Sequence, residues 1–456
     1  MNLASFAAAV QWSALPQDVR GKTLDHVLDT VGNMLAGIEV DACAAARKAA
    51  AAWGWGEEAS VVGVDGKCPA PTAAFLNALH GRIHAYDDTY ESGNMHPGNP
   101  VVAAALALAE KHAVDGKTFL SAVVAGYEVA TRVAAAVSPS HYAAGFHNTG
   151  TCTVFGAAAA AARILRLSGT ATAEALGLAG AAAAGLRQHQ IDGSMLDSAF
   201  HGARAAQSGV MVAQLRAEGV RGPAGILDGP LGFCTVMAPE RDITRLDAQL
   251  GVQYEFMKTA IKPYPTAFYV HGPIETAFEL KRKYHLDPLQ IRQIEIATFK
   301  QSQEVSDRPL VRTRYDAILS HQYGVAVALV KDQVPLSSFS DAALADSAVL
   351  GLMEKIRVIN DPALEQLVPR MCPHRLTITL DDGRTFAMLS EYPPGWTSRI
   401  AQATVDGKFL EHGSACLGSS RAQQSLSLIR RLPDCADIRE LTEILSGPMI
   451  VDKLNK

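Results

Sequence analysis

The sequence predicts a mostly α protein built as a large all-helical domain with a smaller α+β domain inserted into it. Three observations predict it. From Leu15 to about Gly219, apolar residues recur at helical spacing in one Ala-, Val- and Leu-rich segment after another. Beyond Gly219 the texture changes to Gly/Pro-rich crossings and short runs that alternate with period two. After about Lys408 it returns to helix. A chain of 456 residues also exceeds what one hydrophobic core usually serves. The expected division is 1–261 with 400–456 as the helical domain and 262–399 as the α+β domain.

In order, Leu15–Ile38 places Val19, Leu24, Val27, Leu28 and Val31 on one face, with Pro16 near the start. Helices are expected over Ala70–Leu79, Val101–Ala109 and Leu120–Ala136, with Asp115-Gly116 as the turn before the last. Gly156–Leu167 and Ala173–Leu186 carry small side chains that let helix axes approach, and Ala175–Leu186 reads as a tightly packed internal helix. Gly202–Gly219 closes this series. Next, Ile261–Pro273 reads as extended, Ile291–Phe299 as a half-buried strand, and Arg375–Leu389 as a hairpin turning at Asp381–Gly383. Helices are expected between them at Ser320–Val330 and Asp341–Leu350.

Composition narrows the function classes. Nearly half the residues are apolar, the formal charge is -5, and no basic stripe or charged tail offers a footprint for nucleic acid. Seven scattered cysteines without a CxxC pair argue against disulfides and zinc knuckles, so a cytoplasmic, reducing setting is expected. The N-terminus lacks a basic stretch before its apolar run, and Ala175–Leu186 is too short for a bilayer span, so no membrane partner is expected. Walker, GxGxxG, HExxH and GxSxG patterns are absent. His84 and Asp88, one helical turn apart, are weak metal ligands, and the reading is of no metal site.

The chemistry-bearing vocabulary sits in four stretches. HAYDDTYESGNMHPGNP (84–100) is a polar, turn-rich segment between two apolar helices, a common setting for binding groups. AGFHNTGTCTVFG (144–156), FHGARAAQSG (200–209) and IKPYPTAFYVH (261–271) follow. His147, before an Ala-rich helix, lies near a helix N-terminus, where anions are favoured. Asn148, Thr149 and Thr151 are expected to cap that helix.

Together with a DGR turn (382–384) and DGKF (406–409), these motifs give a chain that resembles the MmgE/PrpD family over nearly its whole length. That family holds 2-methylcitrate dehydratases, cis-aconitate decarboxylases and iminodisuccinate epimerases. The resemblance implies a helical domain with a lid domain, an active site in the cleft between them, a homodimer, no cofactor and a small di- or tricarboxylate substrate. It also implies roles for residues that match the family's motifs. His147 and His96 are the candidate base and acid, and Thr89 is a hydroxyl donor beside His96. Lys262 of KPYP contacts a substrate carboxylate, and Tyr323 of SHQYG donates to a substrate oxygen. Asp88 is an additional substrate-binding candidate, although capping and local pairing are the favoured role for both Asp87 and Asp88.

Two positions depart from the family pattern. Ser198 stands where relatives commonly have a lysine, and Ala85 where decarboxylases have an aspartate. Arg187, His189, His201 and Arg204 are the cationic or ionisable groups that could replace the missing charge. The expected function is therefore a cofactor-independent dehydratase of the 2-methylcitrate type. The alternatives are an epimerase of an iminodisuccinate-like substrate, a cis-aconitate-type decarboxylase, and a non-catalytic binding protein.

Overall fold

A computed structural model describes residues 2–54, 56–368, 370–396 and 399–447, with the side chains of Met195 and Asp197 left aside. The chain divides into two compact units, Met1–Ile261 with Ala401–Lys456, and Lys262–Ile400.

The first unit is helical. Its main helices are Gln17–Ala36, Ala70–Arg82, Gly98–Lys111, Gly116–Val137, Thr153–Ile164, Gly169–Ala179, Met195–Ala217, Gln402–Leu417 and Ser419–Arg430. Starts follow local chemistry: Asp115 accepts from Thr118 N and Ser168 from Ala171 N, each satisfying a donor that the first turn leaves open. Small residues set the spacing between helices. A Cβ on Gly126 would lie 2.8 Å from the Gly156 carbonyl oxygen, and one on Gly209 would lie 2.5 Å from Ala157 Cβ. Gly116–Val137 is the described helix long and apolar enough to cross a membrane, but it is wholly buried. Its Glu128–Arg132 ion pair, at 2.8 Å, is buried with it.

One helix is shorter than its sequence suggests. Ala175–Leu186 is not a continuous packed helix: the α-helix ends at Ala179, a short turn runs Gly180–Ala182, and Leu186 is 61% exposed. Gly185, at φ 156°, instead carries the chain into an extended conformation. There Phe146 and Leu186 form an antiparallel bridge, with His147 N–H donating to the Gly185 carbonyl at 3.0 Å and Arg187 N–H to the Gly145 carbonyl at 2.9 Å. The broken helix thereby becomes the support of the His147 segment.

The second unit holds a four-stranded sheet in the order Ile356–Asn360, Ile291–Thr298, His374–Leu380, Thr385–Ser390; the first pair is parallel and the others antiparallel. Helices Phe268–Tyr284 and His321–Lys331 belong to the same unit. The extended reading of Ile261–Pro273 fails from Phe268 onward, where the helix Phe268–Tyr284 begins and carries Pro273 within it. Asp341–Leu350 becomes a turn at Ala343–Ala345 and a helix at Ser347–Met353, divided where Asp346 caps the second by accepting from Ala348 N. The final helical stretch opens at Gln402, ahead of Lys408. All seven cysteines are free thiols.

Candidate active site

Three of the four motif stretches lie in the first unit, and its helices bring them together. The 84–100 stretch is not an exposed polar loop: Asp87 and Asp88 are each 1% exposed. Asp88 accepts from Gly98 N (2.9 Å) and Tyr127 Oη (2.7 Å), and its second oxygen also meets His26 Nδ1 at 2.8 Å. Asp87 accepts from Arg82 Nη1 (2.6 Å) and Asn99 Nδ2 (2.8 Å). Both carboxylates are thus engaged as anchors of the core, the capping and pairing role that the sequence favours for them. Thr89 is held through its backbone, exchanging two hydrogen bonds with Ala260.

What these anchors position is His96. Its Nδ1 donates to the Asp88 carbonyl at 2.7 Å, a bond that fixes the proton there and makes Nε2 the lone-pair nitrogen of the neutral ring. His96 N–H donates to Thr149 Oγ1 at 3.1 Å, and Asn148 Nδ2 donates to the Gly93 carbonyl at 2.7 Å. These two residues tie the first stretch to the second rather than capping a helix by side chain, because the turn Asn148–Thr151 has no side-chain N-cap bond.

His147 stands at the head of that turn, and His201 reaches it from the Met195–Ala217 helix, with Nδ1 to Nδ1 at 2.8 Å. His189 completes a triangle of rings, its centroid 4.7 Å from that of His147 and 5.4 Å from that of His201. Glycine permits this approach: a Cβ at Gly150 would fall 2.3 Å from the Ala184 carbonyl oxygen and 3.1 Å from His201 Cβ. His189 Nδ1 donates to the Leu186 carbonyl at 3.0 Å. Of the described His, Cys, Asp and Glu side chains, these three form the group whose spacing suits a metal ion.

Burial and its neighbours keep His147 neutral. Burial pushes its pKa well below 6.5, and His189, His201, Arg82 and Arg187 reinforce the effect by repelling a further positive charge. The same surroundings favour an anion. Arg187 is held in place, stacked 3.7 Å over Tyr142 and donating to the Tyr142 carbonyl and Gln190 Oε1. Arg204 donates to the Ala182 carbonyl at 3.2 Å.

Sequence reasoning missed Arg82. It ends the Ala70–Arg82 helix, is 6% exposed, and donates Nη2 to Ser198 Oγ at 3.1 Å. Its Nε has no hydrogen-bond partner among the described residues. A guanidinium therefore stands beside Ser198, the position where the resemblance leads a lysine to be expected. The available signal was an arginine five positions before Asp87 at the end of an otherwise apolar helix.

Lys262 and Tyr323 belong to the second unit. Lys262 is 1% exposed, which excludes a surface lysine. Tyr323 Oη donates to the Ser338 carbonyl at 2.6 Å, and burial raises its pKa to about 12, so its proton already has an acceptor inside the unit. His271 is a packing histidine, buried, with Nε2 3.4 Å from the Thr266 carbonyl.

The MmgE/PrpD N-terminal domain profile matches residues 1–246, and the MmgE/PrpD C-terminal domain profile matches residues 264–434. The chain is 27% identical over 476 aligned residues to the cis-aconitate decarboxylase-like protein oryM of Aspergillus oryzae, covering 98% of this chain and 97% of that protein. It is 25% identical to the cis-aconitate decarboxylase of Mus musculus, covering 86% and 82% respectively. The human cis-aconitate decarboxylase is also 25% identical, with 84% and 81% covered.

Proposed function

The chain belongs to the MmgE/PrpD family, and on that premise we propose a cofactor-independent lyase that takes a proton from carbon next to a carboxylate and expels water, as a 2-methylcitrate dehydratase does. The substrate is a small di- or tricarboxylate. The observation that carries this reading is His147: an imidazole held neutral by burial and by flanking cations, with Arg82 and Arg187 among them.

Proton removal beside a carboxylate builds negative charge that needs cations or N–H donors around it. Under this reading Arg82 and Arg187 supply that field, His147 takes the proton, and His96 gives one to the departing hydroxyl. For the last step His96 must enter the cycle protonated; its Asp88 carbonyl acceptor stabilises the imidazolium. Lys262 is retained as a carboxylate contact, with His201 and Arg204 as supporting groups.

A second reading is decarboxylation of a cis-aconitate-like substrate. The names of the relatives favour it, and Arg82 beside Ser198 restores a positive charge near the position of the missing lysine. On this reading His96, the acid of the first reading, would protonate the alkene carbon, so the two readings differ in substrate and not in the groups available. Proton NMR with 2-methylcitrate, citrate, cis-aconitate and iminodisuccinate separates the possibilities. Water loss from 2-methylcitrate appears as collapse of its methyl doublet to a singlet and from citrate as a new vinylic proton, decarboxylation of cis-aconitate as replacement of its vinylic proton by a new alkene pattern, and epimerisation as a stereochemical change alone. No turnover of any hydroxy acid would defeat the dehydratase reading.

A homodimer in a reducing cytosol, without nucleic-acid or membrane partners, is part of the same proposal. Seven free thiols accord with that compartment.

A further inference from the structure

We infer that His147, His189 and His201 form a binding site for a divalent transition metal ion, zinc by ligand type, and that the ion shuts the site off. One ring nitrogen from each histidine lies within 4.8 Å of one from each of the others. Tetrahedral zinc with Zn–N bonds of about 2.0–2.1 Å needs nitrogens about 3.4 Å apart. A pair at that limit must close by about 1.4 Å for tetrahedral coordination. The His147 and His201 Nδ1 atoms, now at 2.8 Å, must open slightly.

The support around the cluster suits the role. His189 gives its Nδ1 proton to the Leu186 carbonyl, the outer hydrogen bond that ligating histidines commonly make, and this leaves Nε2 as the coordinating nitrogen. Metal entry moves the proton shared by His147 and His201 from one Nδ1 to the Nε2 of that ring, so both imidazoles stay neutral and each Nδ1 presents a lone pair. Three histidines leave a fourth position open. Arg82 and Arg187 oppose a bare dication, but Arg82 is balanced by Asp87 at 2.6 Å, and both guanidiniums favour an anion such as hydroxide or chloride as the fourth ligand. An ion seated there holds the lone pair that His147 needs as a base. This inhibitory consequence rests on the lyase reading; the metal site itself does not.

The test is titration of chelator-treated full-length protein with Co2+, followed by its visible spectrum, and with Zn2+ by calorimetry. The expected result is one ion per chain with the intense bands of a tetrahedral cobalt site. Affinity should fall at least roughly tenfold in both His189→Gln and His201→Gln, and be unchanged in His285→Gln, an exposed histidine of the second unit. Absence of a tetrahedral spectrum in the unsubstituted protein, or binding that survives both cluster substitutions, would overturn the site. If the spectrum behaves as expected but zinc leaves turnover untouched, the inhibitory role falls and with it His147 as the base.

Discussion

Ser198 Oγ accepts a hydrogen bond from Arg82 Nη2 at 3.1 Å, joining the ends of two helices that lie 116 positions apart in sequence. The small hydroxyl leaves room for the guanidinium, so the positive charge beside Ser198 is supplied from another helix. Arg82→Ala should therefore lower kcat/KM by roughly a hundredfold or more, of the order expected when a group that stabilises developing charge is removed. It should also cost about 3–5 kcal/mol by leaving Asp87 buried without its cation. Ser198→Lys alone should destabilise, because it sets a second cation beside Arg82, whereas Arg82→Ala with Ser198→Lys should recover part of both losses. Steady-state kinetics and urea unfolding of the three variants check this; additive effects would contradict it.

The pH dependence of kcat/KM follows from His147. A base whose pKa is depressed stays deprotonated further into acid, so the ascending limb should lie below the ordinary 6.5. A limb at or above 6.5 would mean that the free enzyme uses another base.

Lys408, in the motif DGKF, is a core residue rather than a site residue. Its ammonium donates to Asp29 Oδ1 at 2.6 Å and to the Tyr86 carbonyl at 2.7 Å, and lies 3.6 Å from the Tyr86 ring centroid. Burial raises the Asp29 pKa to about 6 despite that partner. For a raised carboxyl, the stability contribution is complete below the unfolded value of 3.8 and is lost as pH rises through about 6. Removing the lysine raises Asp29 further, so Lys408→Met should cost about 3–5 kcal/mol at pH 7.5 and clearly less at pH 5.5, where Asp29 holds its proton. Urea midpoints at the two pH values measure the difference; an equal cost at both would show that Asp29 is not the group affected.

In the second unit, Ser302 Oγ lies 2.9 Å from His321 Nε2 and 3.2 Å from His374 Nε2, with all three residues buried. Burial lowers His374 to about 3 and His321 well below its ordinary value. A lowered histidine contributes stability above 6.5 that is lost as pH falls toward the folded pKa, at about 1.4 kcal/mol per pH unit for each group. Amide exchange in His374–Leu380 and Lys300–Ser306, corrected for intrinsic rates, should therefore quicken between pH 7.5 and 5.5. Unchanged protection would contradict it.

The helical unit was legible because its apolar periodicity is long and repeated, as in Gln17–Ala36 and Gly116–Val137. The break at Ala179 was not, since Ala and Gly run on through it and the reason for stopping is a bridge between Phe146 and Leu186. The strand Ile356–Asn360 escaped for a related reason: five residues give little alternation, and its parallel partner Ile291–Thr298 lies far back in the chain. Among the candidate site residues, His96, His147 and His201 were singled out from motifs, whereas Arg82 sits at the end of an apolar helix and is distinguished only by its contacts with Ser198 and Asp87. Asp88 had the composition of a ligand, but three partners occupy it.

Proton abstraction by His147 is the central claim, and solvent exchange tests it apart from product release. The substrate that turns over in the panel would be incubated in heavy water with the unsubstituted protein and with His147→Ala, and deuterium at the carbon beside the carboxylate followed in recovered substrate. Uptake by the unsubstituted protein, with loss of exchange in the variant by a factor of at least roughly a hundred, is the predicted result. Exchange at an undiminished rate in a folded His147→Ala protein would contradict it and assign the base elsewhere.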